Sequence, residues 1–140
     1  MRAAVFIAAS LAGIAAAAPS AAQDAPKRKS GIWELKMSSA MLPQPMVTQQ
    51  CVTESTDDLA RPAPSGPGAC TKPVVQRQGA ATVVESECKV EGSTARTRAV
   101  LTGDFAAAYK ADITISYDPP LQGMGEQKIA MEGRWVGPCK

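Results

Sequence analysis

Residues 109–118 read Tyr-Lys-Ala-Asp-Ile-Thr-Ile-Ser-Tyr-Asp, and this stretch decides the fold. Every second residue is apolar or aromatic, and each residue between them is charged or carries a hydroxyl group. Successive side chains of a β-strand point to opposite faces of a sheet. The stretch therefore predicts a strand with one apolar face and one face in water.

Similar segments lie on both sides of this strand. In residues 31–37, Trp33, Leu35 and Met37 fall on one face. The other predicted strands are 46–52, 74–78, 82–90, 94–101, 107–117 and 128–136, with glycine-containing turns at hairpin spacing between several of them. About seven strands predict a mainly β fold, an antiparallel meander that forms a curved sheet or an open barrel. Trp33 and Trp135, in the first and last strands, would pack together if the sheet closes on itself.

One short helix is predicted after the second strand, over residues 53–60. Ser55 can act as its N-cap, and Asp58, three residues later, suits the positive end of a helix. Residues 62–68 then contain three prolines and two glycines, which predicts an irregular loop.

The first 22 residues have the pattern of a secretory signal peptide. Arg2 precedes an apolar stretch over residues 3–18, and small residues precede an expected cleavage between Ala22 and Gln23. The apolar stretch is shorter than the roughly 20 residues of a membrane-spanning helix. We therefore expect export to the periplasm as a soluble protein, with no membrane insertion after cleavage.

Removal of these 22 residues from the 140 leaves 118, enough for one domain. Residues 23–30 are polar and charged, and they predict a disordered leader before a single disulfide-stapled β domain over residues 31–140. The basic run 27–29 is interpreted as part of a solvated tail. Loss of Arg2 lowers the net charge from +2 to +1, which gives no reason to expect nucleic acid as a partner.

All four cysteines follow the predicted signal peptide, and an even number in an exported protein indicates disulfides. Cys70 and Cys88 are each nine residues from Gly79, the apparent turn of a hairpin. This spacing favours a Cys70–Cys88 bond, which leaves Cys51 with Cys139. The main alternative pairs Cys51 with Cys70 and Cys88 with Cys139. A redox-active pair is disfavoured because the sequence has neither a Cys-x-x-Cys motif nor a histidine.

The lack of histidine also removes the commonest general base and the usual zinc and copper(II) ligands. Glu85, Glu87 and Glu91 could supply paired carboxylates for acid–base chemistry. Alternating acids on a strand are more typical of a solvated face, and Arg96 and Arg98 are available as cross-strand partners. We therefore predict no enzymatic activity, no catalytic residue and no cofactor, and keep a carboxylate-based hydrolase as a third hypothesis.

Two sequence motifs mark the ends of the predicted domain. Residues 31–34 read Gly-Ile-Trp-Glu, and residues 133–140 read Gly-Arg-Trp-Val-Gly-Pro-Cys-Lys. Between them, residues 50–53 read Gln-Cys-Val-Thr before an acidic segment, and Cys88 closes a strand. With the signal peptide, these features make the chain resemble the DUF3617 family of small exported proteobacterial proteins. The resemblance implies a bacterial envelope setting and supplies no catalytic or ligand residue.

Methionine is the remaining residue type with chemistry to offer. Met41 and Met46 flank a proline-containing loop, and Met124 lies in another loop. Thioethers can bind copper(I), so these three residues form a speculative metal site. Their irregular spacing favours packing instead, with Met37 and Met131 as core residues on strands.

The first functional hypothesis is a non-catalytic binding or interaction module of the cell envelope. Its concave sheet face, with long loops at 38–45 and 118–125, could hold a small apolar ligand or a segment of an envelope protein. The alternative is a copper(I)-handling protein that uses the methionine loop.

Overall fold

The computed structural model describes residues 23–61 and 70–140. The predicted signal peptide and the proline-rich loop over residues 62–68 lie outside these ranges. The described residues form seven strands: β1 (Gly31–Ser39), β2 (Met46–Val52), β3 (Val74–Gln78), β4 (Ala81–Val90), β5 (Ser93–Gly103), β6 (Ala108–Leu121) and β7 (Met124–Gly137). No helix among the described residues is long and apolar enough to cross a membrane.

All seven strands belong to one antiparallel sheet in the order β2-β1-β7-β6-β5-β4-β3. Strands β3 to β7 form a meander of consecutive hairpins, and the β1–β2 hairpin is added beside β7. The first strand therefore lies next to the last although the sheet stays open, with β2 and β3 as its edges. The prediction of a mainly β fold with about seven antiparallel strands is confirmed.

The strand register gives the sheet one apolar face. On neighbouring strands, Ala111 of β6 lies opposite both Leu101 of β5 and Met131 of β7, and Ile113 lies opposite Ile129. Side chains at such positions point to the same side of the sheet. We call this side the apolar face; its strand residues include Leu35, Met37, Val84, Ala99, Leu101, Ala111, Ile113, Ile115, Ile129 and Met131.

The apolar face is concave. Val52 of edge strand β2 and Val75 of edge strand β3 belong to one buried cluster with Trp33 and Tyr109. In a flat sheet of seven strands the two edges would be about 29 Å apart, at about 4.8 Å per strand. Residues at that separation share a buried cluster only if the sheet curves around it.

The predicted helix over residues 53–60 is wrong. The backbone N–H groups of Thr56 and Asp57 donate to the carbonyl oxygen of Thr53, at 3.1 and 2.9 Å, and close a single turn. The chain does not continue as a helix because Asp57 turns inward, where its buried carboxylate binds Arg28. A contact between residues distant in sequence thus replaces the local pattern.

Residues 23–30 differ from the predicted disordered leader. They have no regular secondary structure, yet they pack along the domain. The N–H group of Lys29 donates to the carbonyl oxygen of Phe105 at 2.8 Å, and Lys27 Nζ donates to the carbonyl oxygen of Asp57 at 2.7 Å. The side chain of Arg28 is only 6% exposed. A basic run that reads as solvated is held in place because Asp57 supplies a buried counter-charge.

The cysteines pair as Cys51–Cys139 and Cys70–Cys88, the arrangement favoured by the turn at Gly79. Cys70 and Cys88 also form an isolated antiparallel bridge. The Cys51–Cys139 bond spans 88 residues and joins the end of the chain to edge strand β2.

Candidate ligand-binding face

Two tryptophans fasten the N-terminal segment to one end of the sheet. Trp33 and Trp135 lie opposite each other on β1 and β7. Their indole N–H groups donate to the carbonyl oxygens of Lys29 and Ser30, at 2.8 and 3.1 Å. Gly31 has a positive φ of 143°, and a Cβ atom there would collide with the Trp135 indole. The motif over residues 31–34 thus begins with a glycine that leaves room for an aromatic ring.

A buried ion pair closes the same end of the apolar face. Arg28 Nε lies 2.8 Å from Asp57 Oδ1, and the backbone N–H of Arg28 donates to Oδ2 at 2.6 Å. Arg28 Nη1 also donates to the Tyr109 hydroxyl at 3.4 Å, with the guanidinium 5.7 Å from the ring centroid. We call Arg28, Asp57 and Tyr109 the clasp. Burial raises the pKa of Tyr109, and the positive charge of Arg28 partly opposes this shift.

Beyond the clasp, the apolar face contains a cavity of about 250 Å³. Leu59 and Ala60, which follow the single turn after β2, line one side of it. Its principal strand residues are Leu35, Met37, Ile113, Ile115, Ile129 and Met131. Five of these six side chains, all except Ile115, are only half-buried, so the face is partly open to solvent.

Three charged residues line this cavity. They are Arg28, Asp58 and Arg61, and Arg28 is already held by Asp57. Asp58 and Arg61 form an exposed ion pair at 3.6 Å. The rest of the lining is mostly aliphatic, with the ring of Tyr109 and polar but uncharged side chains such as Ser86 and Thr97. Such a lining can hold an apolar group by exclusion of water, and it provides few polar groups to orient a reaction.

Two of the three acidic residues singled out in the sequence, Glu85 and Glu87, lie on the opposite, polar face of the sheet. Arg98 Nε is 3.4 Å from Glu85, and Arg96 Nε is 3.1 Å from Glu87, both across the β4–β5 pair. Glu91 lies in the turn between these strands. Each strand carboxylate is therefore held by an arginine, and neither lines the cavity of the apolar face.

The three methionines of the speculative copper(I) site are not brought to one place. Met46 lies opposite Met37, which lies opposite Met131 on β7. Met124 is seven residues before Met131 on that strand, roughly 24 Å away along its direction. Met41 and Met46 are 59% and 49% exposed. The methionines that line the cavity are Met37 and Met131, which the sequence assigns to packing.

The sequence pattern predicts neither the clasp nor the position of Leu59 and Ala60 over the cavity. The local pattern places Asp57 only near a helix start, and Arg28 only in a solvated run. The one available signal is that this basic run is separated by a single residue from the Gly-Ile-Trp-Glu motif over residues 31–34. That signal does not identify Asp57 as the partner, which is 29 residues away.

The two sequence motifs at the ends of the domain meet in the structure. Arg134 Nη2 lies 2.8 Å from Glu34 across the β1–β7 pair, and this contact lowers the pKa of Glu34. Residues 28–139 match the family described as protein of unknown function, DUF3617. The chain belongs to the DUF3617 family. No curated protein and no solved structure matches it. In this DUF3617 protein both motifs hold the first strand against the last and fasten the N-terminal segment.

Proposed function

We propose that this DUF3617 protein is a non-catalytic binding module of the cell envelope that holds a small apolar ligand on its concave face. The observation that carries the proposal is the cavity of about 250 Å³ between the apolar face and Leu59 and Ala60. Its aliphatic lining and its partial exposure are the features expected of a ligand site rather than of a sealed core.

The half-buried state of the lining supplies the driving force. Ile113, Ile129 and Met131 keep part of their apolar surface in water. Covering apolar surface contributes about 25 cal/mol for each Å² removed from water. A ligand that fills the cavity would cover these apolar side chains, so binding would depend mainly on shape and hydrophobicity.

The size of the cavity limits the ligand. An engineered cavity of about 150 Å³ in another protein holds benzene, and pockets for drug-sized ligands start near 300 Å³. A volume of about 250 Å³ therefore suits one or two fused rings or a short aliphatic chain. Larger molecules would have to extend through the open side of the face.

Cavity filling provides the test. Ala99 lines the cavity from β5, and an Ala99→Leu substitution would occupy part of its volume. Ala130 lies exposed on the polar face of β7, so Ala130→Leu adds the same atoms outside the cavity. The probe is N-phenyl-1-naphthylamine, whose fluorescence rises in apolar surroundings. Its naphthyl group has the two fused rings that the cavity can hold, and its phenyl ring would extend through the open side of the face.

We expect the unmodified protein and the Ala130→Leu variant to bind the probe alike, and Ala99→Leu to bind it at least tenfold more weakly. Circular dichroism verifies that both variants are folded. Binding that is equal in all three proteins, or absent from the unmodified protein, contradicts the proposal. Methyl chemical shifts that move at Ile113 and Ile129 upon probe addition would place the ligand in the cavity.

A further inference from the structure

The two edges of the sheet are protected to different degrees. On β3, the carbonyl oxygen of Val75 accepts a hydrogen bond from the N–H of Gln23 at 3.4 Å, and Arg77 places a charge on this strand. On β2, backbone hydrogen bonds from the described residues come only from β1. Six of the seven residues of β2 are exposed.

Strand β2 also lacks the usual devices that prevent edge pairing. Residues 46–52 read Met-Val-Thr-Gln-Gln-Cys-Val, without a charge or a proline. Natural edge strands are commonly protected by lysine, proline, a bulge or a covering segment, because their free N–H and C=O groups accept another strand. No register shift interrupts β2 along β1. It is a regular, uncharged edge, with Met46 and Val47 49% and 56% exposed.

The sequence of β2 is complementary to itself when reversed. With a two-fold axis at Gln49, Val47 would lie opposite Cys51 of the second copy, and Thr48 opposite Gln50 of the second copy. Met46 would lie opposite Val52 of the second copy. Apolar residues then face apolar residues and polar residues face polar ones, which is the condition for an isologous interface. A different partner would not require this symmetry.

We propose that β2 is a dimerisation edge at which a second copy of this chain adds its own β2 in antiparallel orientation, centred on Gln49. Seven opposed residue pairs supply about six or eight backbone hydrogen bonds, since alternate pairs of an antiparallel ladder are bonded. The exposed side chain of Val47 packs against the Cys51–Cys139 disulfide of the second copy. The two sheets join into one, and the apolar faces of both copies remain available to ligands.

The interface is small, so the dimer is in exchange with the monomer. Pairing of one short edge covers less surface than the 1,200–2,000 Å² of standard stable interfaces. We expect a dissociation constant of roughly 1 µM to 1 mM. Sedimentation velocity over that concentration range should show the mean mass rise from one chain towards two.

A matched pair of variants assigns the dimer to this edge. Gln49→Lys places two like charges directly opposite each other at the axis, which destabilises a cross-strand pair. Gln76→Lys makes the same change on the other edge strand, where Gln76 is also exposed. We expect Gln49→Lys to weaken dimerisation at least tenfold and Gln76→Lys to leave it unchanged. Circular dichroism verifies that each variant is folded.

Cross-linking tests the register. Under mild oxidation, Gln49→Cys should give a disulfide-linked dimer, whereas Gln76→Cys should stay monomeric; mass mapping verifies that the two native disulfides persist. A protein that stays monomeric at 1 mM contradicts the proposal. So do a dimer unaffected by Gln49→Lys, a dimer lost with Gln76→Lys, or cross-linking at position 76 instead of 49. If the edge binds only an extended segment of a different protein, the chain will stay monomeric at 1 mM.

Discussion

At the scale of single residues, the role of Asp57 as a buried counter-charge depends on Arg28. Its side chain is fully buried, and both of its carboxylate oxygens accept hydrogen bonds from Arg28. Removing two charges from water is costly, so a buried pair does not by itself imply high stability. Removing only one of the two charges is strongly destabilising, because the other charge then stays buried without a partner.

We expect Asp57→Ala to lower the free energy of unfolding by about 3–5 kcal/mol, since the Arg28 guanidinium would lose its counter-charge. Urea unfolding followed by tryptophan fluorescence measures the change. The matched control is Asp58→Ala, one residue further on, whose 47% exposed side chain pairs with the exposed Arg61. That variant should lose no more than about 1 kcal/mol. Equal losses in the two variants would show that the clasp does not depend on the buried charge.

At the scale of elements, the packing of the β6–β7 pair requires a glycine at position 133. Gly133 is buried opposite Tyr109, and a Cβ atom at Gly133 would overlap the tyrosine ring. The glycine thus lets Tyr109 lie flat across β7, where its hydroxyl meets Arg28 and the Met131 sulfur. The position of the clasp therefore depends on this strand pairing.

We expect Gly133→Ala to destabilise the protein by about 1–3 kcal/mol, because the added methyl group must displace a packed ring. Gly125, on the same strand, has open space where a Cβ atom would lie and no positive φ. Gly125→Ala should therefore be neutral or stabilising by up to about 1 kcal/mol. Thermal unfolding compares the two, and near-ultraviolet circular dichroism reports on the Tyr109 environment. A Gly133→Ala variant as stable as Gly125→Ala would contradict this account of the packing.

The strands can be predicted from sequence, and the segments that cover them cannot. Alternation of period two is a local signal, so residues 109–118 indicate both the strand and its apolar face. Whether residues 53–60 form a helix depends on Arg28. Whether residues 23–30 pack against the domain depends on Asp57. Neither partner is visible from its own neighbourhood in the sequence, and a capping pattern carries no information about a distant counter-charge.

The candidate site shows the same division. Strand periodicity predicts Ile113 and Ile115 on an apolar face, and they line the cavity. Leu59 and Ala60, which also line it, fall within the helix that the sequence predicts and the structure lacks. The strand side of the cavity wall thus follows from periodicity, and the covering side requires the tertiary contact that stops the helix.

At the scale of the whole molecule, the two ends of the domain are joined. β1 pairs with β7, Glu34 binds Arg134 across that pair, and Cys139 is bonded to Cys51. Such contacts between distant parts of the chain carry a large loop-closure entropy. The only hint of the pairing in the sequence is the presence of a tryptophan in both the first and the last strand. A covalent bond that closes the longest loop should stabilise this arrangement most.

The two disulfides should consequently differ in their effect on stability. In the chain-entropy treatment, the loop of 88 residues closed by Cys51–Cys139 contributes about 4.5 kcal/mol, and the loop of 18 residues closed by Cys70–Cys88 about 3 kcal/mol. We expect the double variant Cys51→Ser/Cys139→Ser to lose more stability than Cys70→Ser/Cys88→Ser, by roughly 1–2 kcal/mol. Urea unfolding of both variants under identical conditions gives the comparison. Each variant keeps one native bond, and free-thiol titration verifies that no new pairing has formed. If Cys70→Ser/Cys88→Ser loses more stability than Cys51→Ser/Cys139→Ser, local packing near the buried Cys88 contributes more to stability than the loop length predicts.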